Sequence, residues 1–169
     1  MCSKTPIHWV AGVEPHRLGL MARPRGGEDL RAEVEAWCLA RVGVVVSLLE
    51  PAEVRELELR EQAALCAEHG VEFRSFPIPD CGTPRSSREM LVLIEELHGH
   101  LRAGKAVAIH CRAGIGRTGL VAGCLAHRLG VPLEEVFHVL SRSRGLAMPD
   151  TAAQVEWVEK HAHASAQGS

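Results

Sequence analysis

His110-Cys-Arg-Ala-Gly-Ile-Gly-Arg-Thr-Gly119 is the segment that decides the fold, because it joins two apolar runs of different character. The run Lys105 to His110 predicts a short buried strand, and the run from Gly116 to about Leu129, apolar nearly all round, predicts a core helix. The glycines between them let the backbone curl so that successive N–H groups point into one concavity, to which the helix adds its first-turn donors. The segment therefore predicts a cradle for a phosphate dianion.

Three side chains of this segment carry the predicted chemistry. Cys111 lies at the base of the cradle, where the same N–H donors would stabilise its thiolate, so we expect a nucleophile that is ionised at neutral pH. The planar guanidinium of Arg117 can bind two phosphoryl oxygens at once, and the hydroxyl of Thr118 can hydrogen-bond the sulfur. An inert core thiol beside a surface arginine would leave the glycines and the threonine unexplained. The predicted phosphate-binding residues are Arg112, Ala113, Gly114, Ile115, Gly116 and Arg117.

Short β-rich runs alternate with helical patterns along most of the chain. This alternation predicts an α/β fold with a central, mostly parallel sheet flanked by helices. The predicted strands include Val44 to Leu49 and Val71 to Phe76; the predicted helices include a polar one from Pro51 to about Glu68, one capped by Thr83 with Pro84 in its first turn, and a last one capped by Asp150 or Thr151. We expect one domain over residues 1–164 and a disordered tail over residues 165–169.

Composition narrows the class of protein. The chain has 19 basic and 21 acidic residues, and this near-balance gives no overall field that would attract nucleic acid or a membrane surface. Its N-terminus lacks an apolar signal region and its apolar runs are too short to span a bilayer, so we expect a cytoplasmic protein. The six cysteines include no Cys-x-x-Cys pair, which argues against a zinc ribbon or a disulfide framework. We expect Cys38, Cys66 and Cys124 to be small buried residues on helices.

The segment resembles the signature His-Cys-x5-Arg-Ser/Thr of the protein tyrosine phosphatase superfamily, matched by His110 to Thr118. More narrowly, the chain is similar to the small single-domain atypical dual-specificity phosphatases over about residues 7 to 160. The further matching stretches are Arg17 to Ala22 with Pro24, Gly43 to Glu50, Phe76 to Asp80, and Thr151-x-x-Gln154. The resemblance implies hydrolysis of a phosphoester through a phosphocysteine intermediate, without a metal or other cofactor. We also expect the protein to be a monomer.

The same family uses a general acid on a separate loop, and the chain has three aspartates from which to supply it. Asp29 and Asp150 are explained as first-turn or capping carboxylates of helices. Asp80 lies in a loop rich in proline and glycine at the position that matches the family's acid, with an Asx-type turn residue as the alternative. From its place at the end of the strand we expect His110 to shape the loop through backbone hydrogen bonds and not to transfer protons. The resemblance also implies that Gln154 orients the hydrolytic water, although a glutamine on an exposed helix face explains Gln154 nearly as well.

Several alternatives remain open at this point. The substrate is phosphotyrosine and also phosphoserine or phosphothreonine in proteins, or a non-protein phosphoester such as a phosphoinositide, an inositol phosphate or an RNA 5′ end. A non-catalytic phosphate-binding module is disfavoured because the nucleophile, the arginine, the threonine and the acid are all present. A rhodanese-like sulfur transferase and the low-molecular-weight phosphatase fold fit the position and spacing of the Cys111 segment less well.

Three further features have plain structural explanations. Cys81, next to Asp80, is a candidate for a reversible disulfide with Cys111, but an exposed thiol is the simpler interpretation. The histidine pairs His98-Gly-His100 and His161-Ala-His163 have poor spacing for a metal site on a helix. Four arginines are candidates for drawing anionic substrates to the site, with solvated loop charges as the alternative: Arg23, Arg25, Arg85 and Arg112.

Overall fold

The fold is built on one five-stranded sheet with the strand order β1-β2-β5-β3-β4. The strands are β1 (His8–Trp9), β2 (Leu18–Met21), β3 (Val42–Ser47), β4 (Glu72–Ser75) and β5 (Ala106–His110). Strand β1 pairs with β2 antiparallel, and the other three pairings are parallel, which confirms the predicted sheet. The structure is a computed structural model and describes residues 3–164.

Helices cover both faces of the sheet. They are α1 (Leu30–Leu39), α2 (Pro51–Glu56), α3 (Gln62–Glu68), α4 (Ser87–Arg102), α5 (Gly116–Arg128), α6 (Val136–Arg144) and α7 (Ala152–His161). Successive side chains of a strand point to opposite faces. Val44 and Val46 accordingly pack in an apolar cluster with α4, α5, α6 and α7, whereas Val45 packs in a second cluster with α1 and α3. Because both faces are covered, β3 is apolar along nearly its whole length.

The predicted polar helix from Pro51 to Glu68 is two helices, so this prediction was wrong. Helix α2 ends because Glu58 adopts the left-handed conformation with φ 56°. The Leu59 N–H then donates to the Val54 carbonyl at 2.9 Å, and the Glu58 N–H donates to the Arg55 carbonyl at 3.2 Å. These two bonds form a Schellman motif, a helix end that usually has glycine at the left-handed position. The turn allows Leu59 to be buried, at 2% exposure.

The predicted cap of α4 is wrong, and of the two predicted caps of α7 Thr151 is confirmed. Ser86, not Thr83, caps α4, since its side chain accepts the Glu89 N–H at 3.2 Å and the helix begins at Ser87. Thr151 caps α7 and forms a capping box with Gln154, so Asp150 is not the cap. The Thr83-Pro84 pair instead belongs to the loop between β4 and α4.

The four parallel strands end at the same edge of the sheet, and their following segments meet there. The Leu48 N–H donates to the His110 carbonyl at 3.0 Å, which joins the ends of β3 and β5. The Ile78 N–H donates to the Leu48 carbonyl at 3.0 Å, which brings the segment after β4 to the same place. The carboxyl ends of parallel strands are where α/β proteins bind their ligands.

Some predictions fall partly outside the described residues. The disordered tail predicted for residues 165–169 lies there, and the single domain over residues 1–164 stays a prediction. Among residues 3–164, no helix is long and apolar enough to cross a membrane. Cys66 and Cys124 are buried on helices as predicted, but Cys38 is exposed, because it lies on the solvent side near the end of α1.

Candidate active site

Cys111 and the five residues after it form a loop between β5 and α5, called here the Cys111 loop (residues 111–116). Gly114 has φ 71°, a conformation that favours glycine, and a Cβ at this position would overlap the carbonyl of Met21 at the end of β2. A Cβ on Gly116 would overlap the carboxylate of Asp150. Main-chain atoms at the sheet edge and the positive φ therefore require glycine at position 114, whereas Gly116 faces the ends of the Asp150 and Gln154 side chains.

The carbonyl groups of the Cys111 loop are bound from outside. The His110 imidazole Nδ1 lies 3.1 Å from the Cys111 carbonyl oxygen, and the Arg23 N–H donates to the Arg112 carbonyl at 3.1 Å. The side chain of Arg144, at the end of α6, donates to the Ala113 carbonyl at 2.9 Å and to the Gly114 carbonyl at 3.2 Å. Four successive carbonyls thus have donors on the outer side of the loop.

This arrangement sets the direction of the loop N–H groups. In a trans peptide the carbonyl and the following N–H point in opposite directions. When the carbonyls of residues 111–114 face outward, the N–H groups of residues 112–115 face the inside of the loop, where the Cys111 side chain lies. The concavity predicted from the glycines is therefore formed by main-chain donors of the kind that bind phosphate.

Thr118 and Cys111 are in direct contact. The Thr118 hydroxyl donates to the Cys111 sulfur at 3.1 Å, and both residues are buried, with the cysteine 3% exposed. Thr118 lies in the first turn of α5, so the helix places the hydroxyl under the loop. The sequence predicted this contact.

The guanidinium of Arg117 is buried at the edge of the Cys111 loop, with 2% exposure. It donates to both carboxylate oxygens of Glu53, at 2.7 Å and 2.9 Å, and to the Ile78 carbonyl at 3.1 Å. The nearby negative charges keep its pKa raised although burial opposes the charge. Its Nη1 and Nη2 atoms bind Glu53, and the other N–H of Nη2 donates to Asp80 at 3.1 Å. Two oxygens of a phosphoryl group could bind the Nε and Nη2 edge if they replace Asp80 on Nη2.

Glu53 is the main site residue that the sequence did not indicate. Burial opposes its ionisation, but hydrogen bonds from Arg117, from the Glu50 N–H and from Arg112, together with the charge of Arg117, lower its pKa to about 2. Its role in the capping box at the start of α2 explains the residue locally and hides the longer-range contact. The available signal was its position just beyond β3, at the carboxyl edge of the sheet.

Asp80 lies beside the same arginine. Its Oδ1 accepts from Arg117 Nη2 at 3.1 Å, and its side chain is 60% exposed. The loop after β4 therefore brings this carboxylate to the outward edge of the guanidinium, next to the Cys111 loop. Asp29 instead pairs with Arg25 at 3.5 Å, in the turn before α1.

Gln154 is fully buried, so the alternative explanation, a glutamine on an exposed helix face, is wrong. Its Oε1 accepts the N–H groups of Asp150 and Thr151, at 3.1 Å and 3.2 Å. Its Nε2 donates at 3.1 Å to the carbonyl of Gly82, in the loop between β4 and α4 that carries Asp80 (residues 76–86, called here the Asp80 loop). A Cβ on Gly116 would contact the Gln154 amide. Gln154 thus lies between the Asp80 loop and the Cys111 loop, and its predicted role in orienting water stays a prediction.

The four arginines proposed to surround the site have different partners. Arg112 pairs with Glu53 and Glu56 at 3.4 Å and 3.1 Å, and Arg85 pairs with Glu50 at 3.2 Å. Arg25 pairs with Glu33 at 2.8 Å, whereas Arg23 contributes its N–H to the Cys111 loop. Carboxylates of α2 or of its N-cap therefore neutralise Arg112 and Arg85, so these two arginines are poorer candidates for attracting anionic substrates.

No cluster of three or more potential metal ligands occurs within residues 3–164. His163 contacts His127 at 3.0 Å, and His100 lies 3.2 Å from Glu72. Cys81 is exposed, and its sulfur lies 3.9 Å from Asp80 Oδ1.

Sequence and structure comparisons identify related proteins. The chain is 35% identical over 89 residues to "Putative tyrosine phosphatase 067L" of Invertebrate iridescent virus 3, covering 49% of this chain and 37% of that protein. It is 32% identical over 81 residues to mouse laforin, covering 47% of this chain and 24% of laforin. The chain thus spans less than half the length of these relatives.

A solved structure of kinase-associated phosphatase with serine at its catalytic-site cysteine superposes with a TM-score of 0.84, covering 97% of this chain and 99% of that chain at 24% identity. The active form of Tk-PTP superposes with a TM-score of 0.69, covering 89% of this chain and 94% of that chain at 25% identity. These likenesses confirm the predicted fold. The family model "Polymorphic toxin system, DSP-PTPase phosphatase" matches residues 20–130, and the chain belongs to this family.

Proposed function

We propose that the protein is a cysteine-dependent phosphatase that hydrolyses phosphotyrosine, and also phosphoserine and phosphothreonine, in proteins. The observation that carries the proposal is the position of the Cys111 sulfur inside a loop whose four carbonyls are bound from outside. A thiol at the base of such a ring of N–H donors is suited to attack a bound phosphoryl group. Membership in a phosphatase family supports the same reaction.

In the first step the Cys111 thiolate attacks phosphorus in line with the bond to the leaving oxygen. The sulfur–phosphorus bond forms as the phosphorus–oxygen bond breaks, and Asp80 transfers its proton to the leaving oxygen. The loop N–H groups and the outward edge of Arg117 hold the three other phosphoryl oxygens. Asp80 already lies at that edge, 3.1 Å from Arg117 Nη2.

In the second step water attacks the phosphocysteine and Asp80, now ionised, accepts the proton of the water. The phosphorus–sulfur bond breaks and inorganic phosphate is released. The Thr118 hydroxyl, 3.1 Å from the sulfur, stabilises the departing thiolate. We assign to Gln154, whose buried amide lies between the two loops, the orientation of this water, a role that requires its present hydrogen bonds to rearrange.

Aryl phosphates should react most readily. A tyrosyl leaving group has a pKa of about 10 as the free phenol, so it needs less help from the acid than a seryl or threonyl alkoxide does. We also propose that the protein is a monomer. We propose the cytoplasm as its location, because a reducing compartment keeps the nucleophile as a free thiol. Cys38, Cys66, Cys81, Cys111 and Cys124 are free cysteines in this structure.

Turnover of p-nitrophenyl phosphate tests the proposal. Wild type and the control variant Cys38→Ser, changed at an exposed thiol away from the Cys111 loop, should be active, and Cys111→Ser should be inactive. Equal activity in Cys111→Ser and wild type, or no activity in wild type, would refute the proposal that the protein is a cysteine-dependent phosphatase. A panel of phosphopeptides and phospholipids bound by the Cys111→Ser protein would then show whether the substrate is a protein; selective capture of phospholipids would refute that part.

A further inference from the structure

Gln62 is a buried polar residue outside the predicted phosphatase signature. It is the first residue of α3 and is 2% exposed, and its Nε2 atom lies 2.9 Å from Nε2 of His110. His110, the last residue of β5, is itself fully buried. The two side chains come from segments 48 positions apart, so no local pattern in the sequence predicts their contact.

The partners of His110 determine which ring nitrogen carries the proton. A carbonyl oxygen only accepts, so Nδ1, which lies 3.1 Å from the Cys111 carbonyl, must be the protonated nitrogen. The amide nitrogen of Gln62 only donates, so Nε2 of His110 must be the unprotonated nitrogen that accepts. Both hydrogen bonds are made only by the neutral imidazole with its proton on Nδ1.

The opposite orientation of the Gln62 amide would require a different charge state. With the amide oxygen facing Nε2, both ring nitrogens would need protons, and the ring would be a buried cation near Arg117. Burial and the charge of Arg117 lower the pKa of His110 to about 4, although the hydrogen bond to the Cys111 carbonyl acts against the shift. The imidazolium is therefore disfavoured at neutral pH, and the orientation with the amide nitrogen toward His110 is preferred.

We propose that Gln62 is a positioning residue: it holds His110 as the neutral Nδ1–H tautomer, and the imidazole in turn holds the Cys111 carbonyl outward. Because that carbonyl and the Arg112 N–H belong to one peptide unit, the contact aims this N–H into the Cys111 loop. The inference rests on the proposed function, since the aimed N–H would bind the phosphoryl group. Gln62 touches neither the sulfur nor the substrate, and it acts through His110.

The first test is direct and does not depend on turnover. Imidazole ¹⁵N spectra of the wild-type protein at pH 7 should show His110 with a protonated Nδ1 and an unprotonated Nε2. In Gln62→Glu an ionised carboxylate would require a proton on Nε2, whereas a neutral carboxylic acid would donate to Nε2 as the amide does, so the decisive spectrum is that of the wild type. A wild-type Nε2–H tautomer would overturn the inference even if the enzyme is fully active.

The second test measures the consequence for the loop. Gln62→Leu leaves a buried acceptor without its donor, and we expect kcat/KM for p-nitrophenyl phosphate to fall about tenfold. In the Cys111→Ser background, which does not turn over, the same change should weaken binding of inorganic vanadate by a similar factor. Ala64→Gln, an exposed change on the same helix, is the control and should alter neither value.

The outcomes separate the two proposals. Weaker vanadate binding together with the expected tautomer supports the role of Gln62, whether or not the wild type hydrolyses phosphoesters. Unchanged kcat/KM and unchanged vanadate binding in a folded Gln62→Leu protein overturn that role while the phosphatase assignment stands. If Gln62→Leu does not fold, the spectrum of the wild type still decides the question.

Discussion

Arg117 and Glu53 form a two-pronged ion pair, with Nη1 2.7 Å from Oε2 and Nη2 2.9 Å from Oε1, although 63 residues separate them in the chain. The carboxylate fixes the plane of the guanidinium, so the outward edge of Arg117 is oriented before any ligand binds. Such pre-orientation lowers the cost of ordering the side chain when a phosphoryl group arrives.

Replacing Glu53 by glutamine should destabilise the protein. The change removes the charge that faces Arg117, and we expect a loss of about 1.5–3 kcal/mol in the free energy of unfolding at pH 7, measured by urea denaturation. Glu56→Gln is the control. Within residues 3–164 Glu56 forms one ion pair, with Arg112, and that pair is exposed. An equal loss of unfolding free energy in both variants would show that the buried Glu53–Arg117 pair stabilises the protein no more than the exposed Glu56–Arg112 pair does.

The same pair predicts how stability depends on pH. The pKa of Glu53 is lowered from 4.5 to about 2 in the folded protein, so the unfolded chain takes up its proton first as the pH falls. The stabilisation is complete above pH 4.5 and is lost as the pH falls toward 2. The difference in free energy of unfolding between wild type and Glu53→Gln should therefore shrink as the pH falls from 4.5 to about 2. A difference that grows on acidification would contradict the assigned pKa direction.

Arg117→Lys should remove most of the activity. A lysine keeps the positive charge but cannot bind Glu53 and two phosphoryl oxygens with one planar group, so we expect kcat/KM to fall by about 10²–10³. The matched control is Arg85→Lys, at an arginine whose side chain is 78% exposed. Near wild-type kcat/KM in Arg117→Lys would mean that charge alone suffices.

Asp80→Asn should slow turnover of phosphotyrosine by about 10²–10⁴, because the leaving oxygen loses its proton donor. The effect should be smaller for p-nitrophenyl phosphate, whose leaving group needs less protonation. Asp29→Asn provides the comparison, since Asp29 pairs with Arg25 beside α1. If both substrates and both variants respond alike, Asp80 is not the acid.

Arg144→Met should weaken the Cys111 loop without touching the sulfur. The variant loses two hydrogen bonds to loop carbonyls, and we expect kcat/KM to fall about tenfold to hundredfold, mainly through a higher KM. Arg142→Met, two positions away on α6 and exposed, should have little effect. Equal kinetics of the two variants would remove Arg144 from the account of loop geometry.

The cysteines should differ sharply toward iodoacetamide. Burial raises the pKa of the Cys66 and Cys124 thiols to about 12, so both should stay unmodified in the native protein. Cys111 should react, and added vanadate should protect it, whereas alkylation of the exposed Cys38 should not respond to vanadate. Peptide mapping measures all four, and peroxide treatment in the same experiment would detect a Cys81–Cys111 disulfide if one forms.

The sequence alone predicted those parts of the site whose residues all lie in one short segment. The strand, the glycines, Cys111, Arg117 and Thr118 lie within a single stretch, so their spacing alone indicated the loop and the Thr118–Cys111 contact. Asp80 followed from a resemblance and from the small number of aspartates in the chain. These residues are the parts of the site that a local pattern can describe.

The supporting contacts could not be predicted because they join distant segments. Glu53, Gln62 and Arg144 reach the site only when α2, α3 and α6 are packed, and each has an ordinary local explanation in its own helix. The break between α2 and α3 was missed for a related reason: Glu58 occupies a left-handed position where glycine is the usual signal.

The outward-facing carbonyls have a consequence for folding. Their donors come from the end of β2, the end of β5 and the last turn of α6, which are far apart along the chain. No fragment that lacks one of these elements contains the complete ring of inward N–H groups. The proposed phosphate site is thus complete only when α6 is docked, and we expect a local opening of that helix to weaken phosphate binding while most of the sheet remains intact.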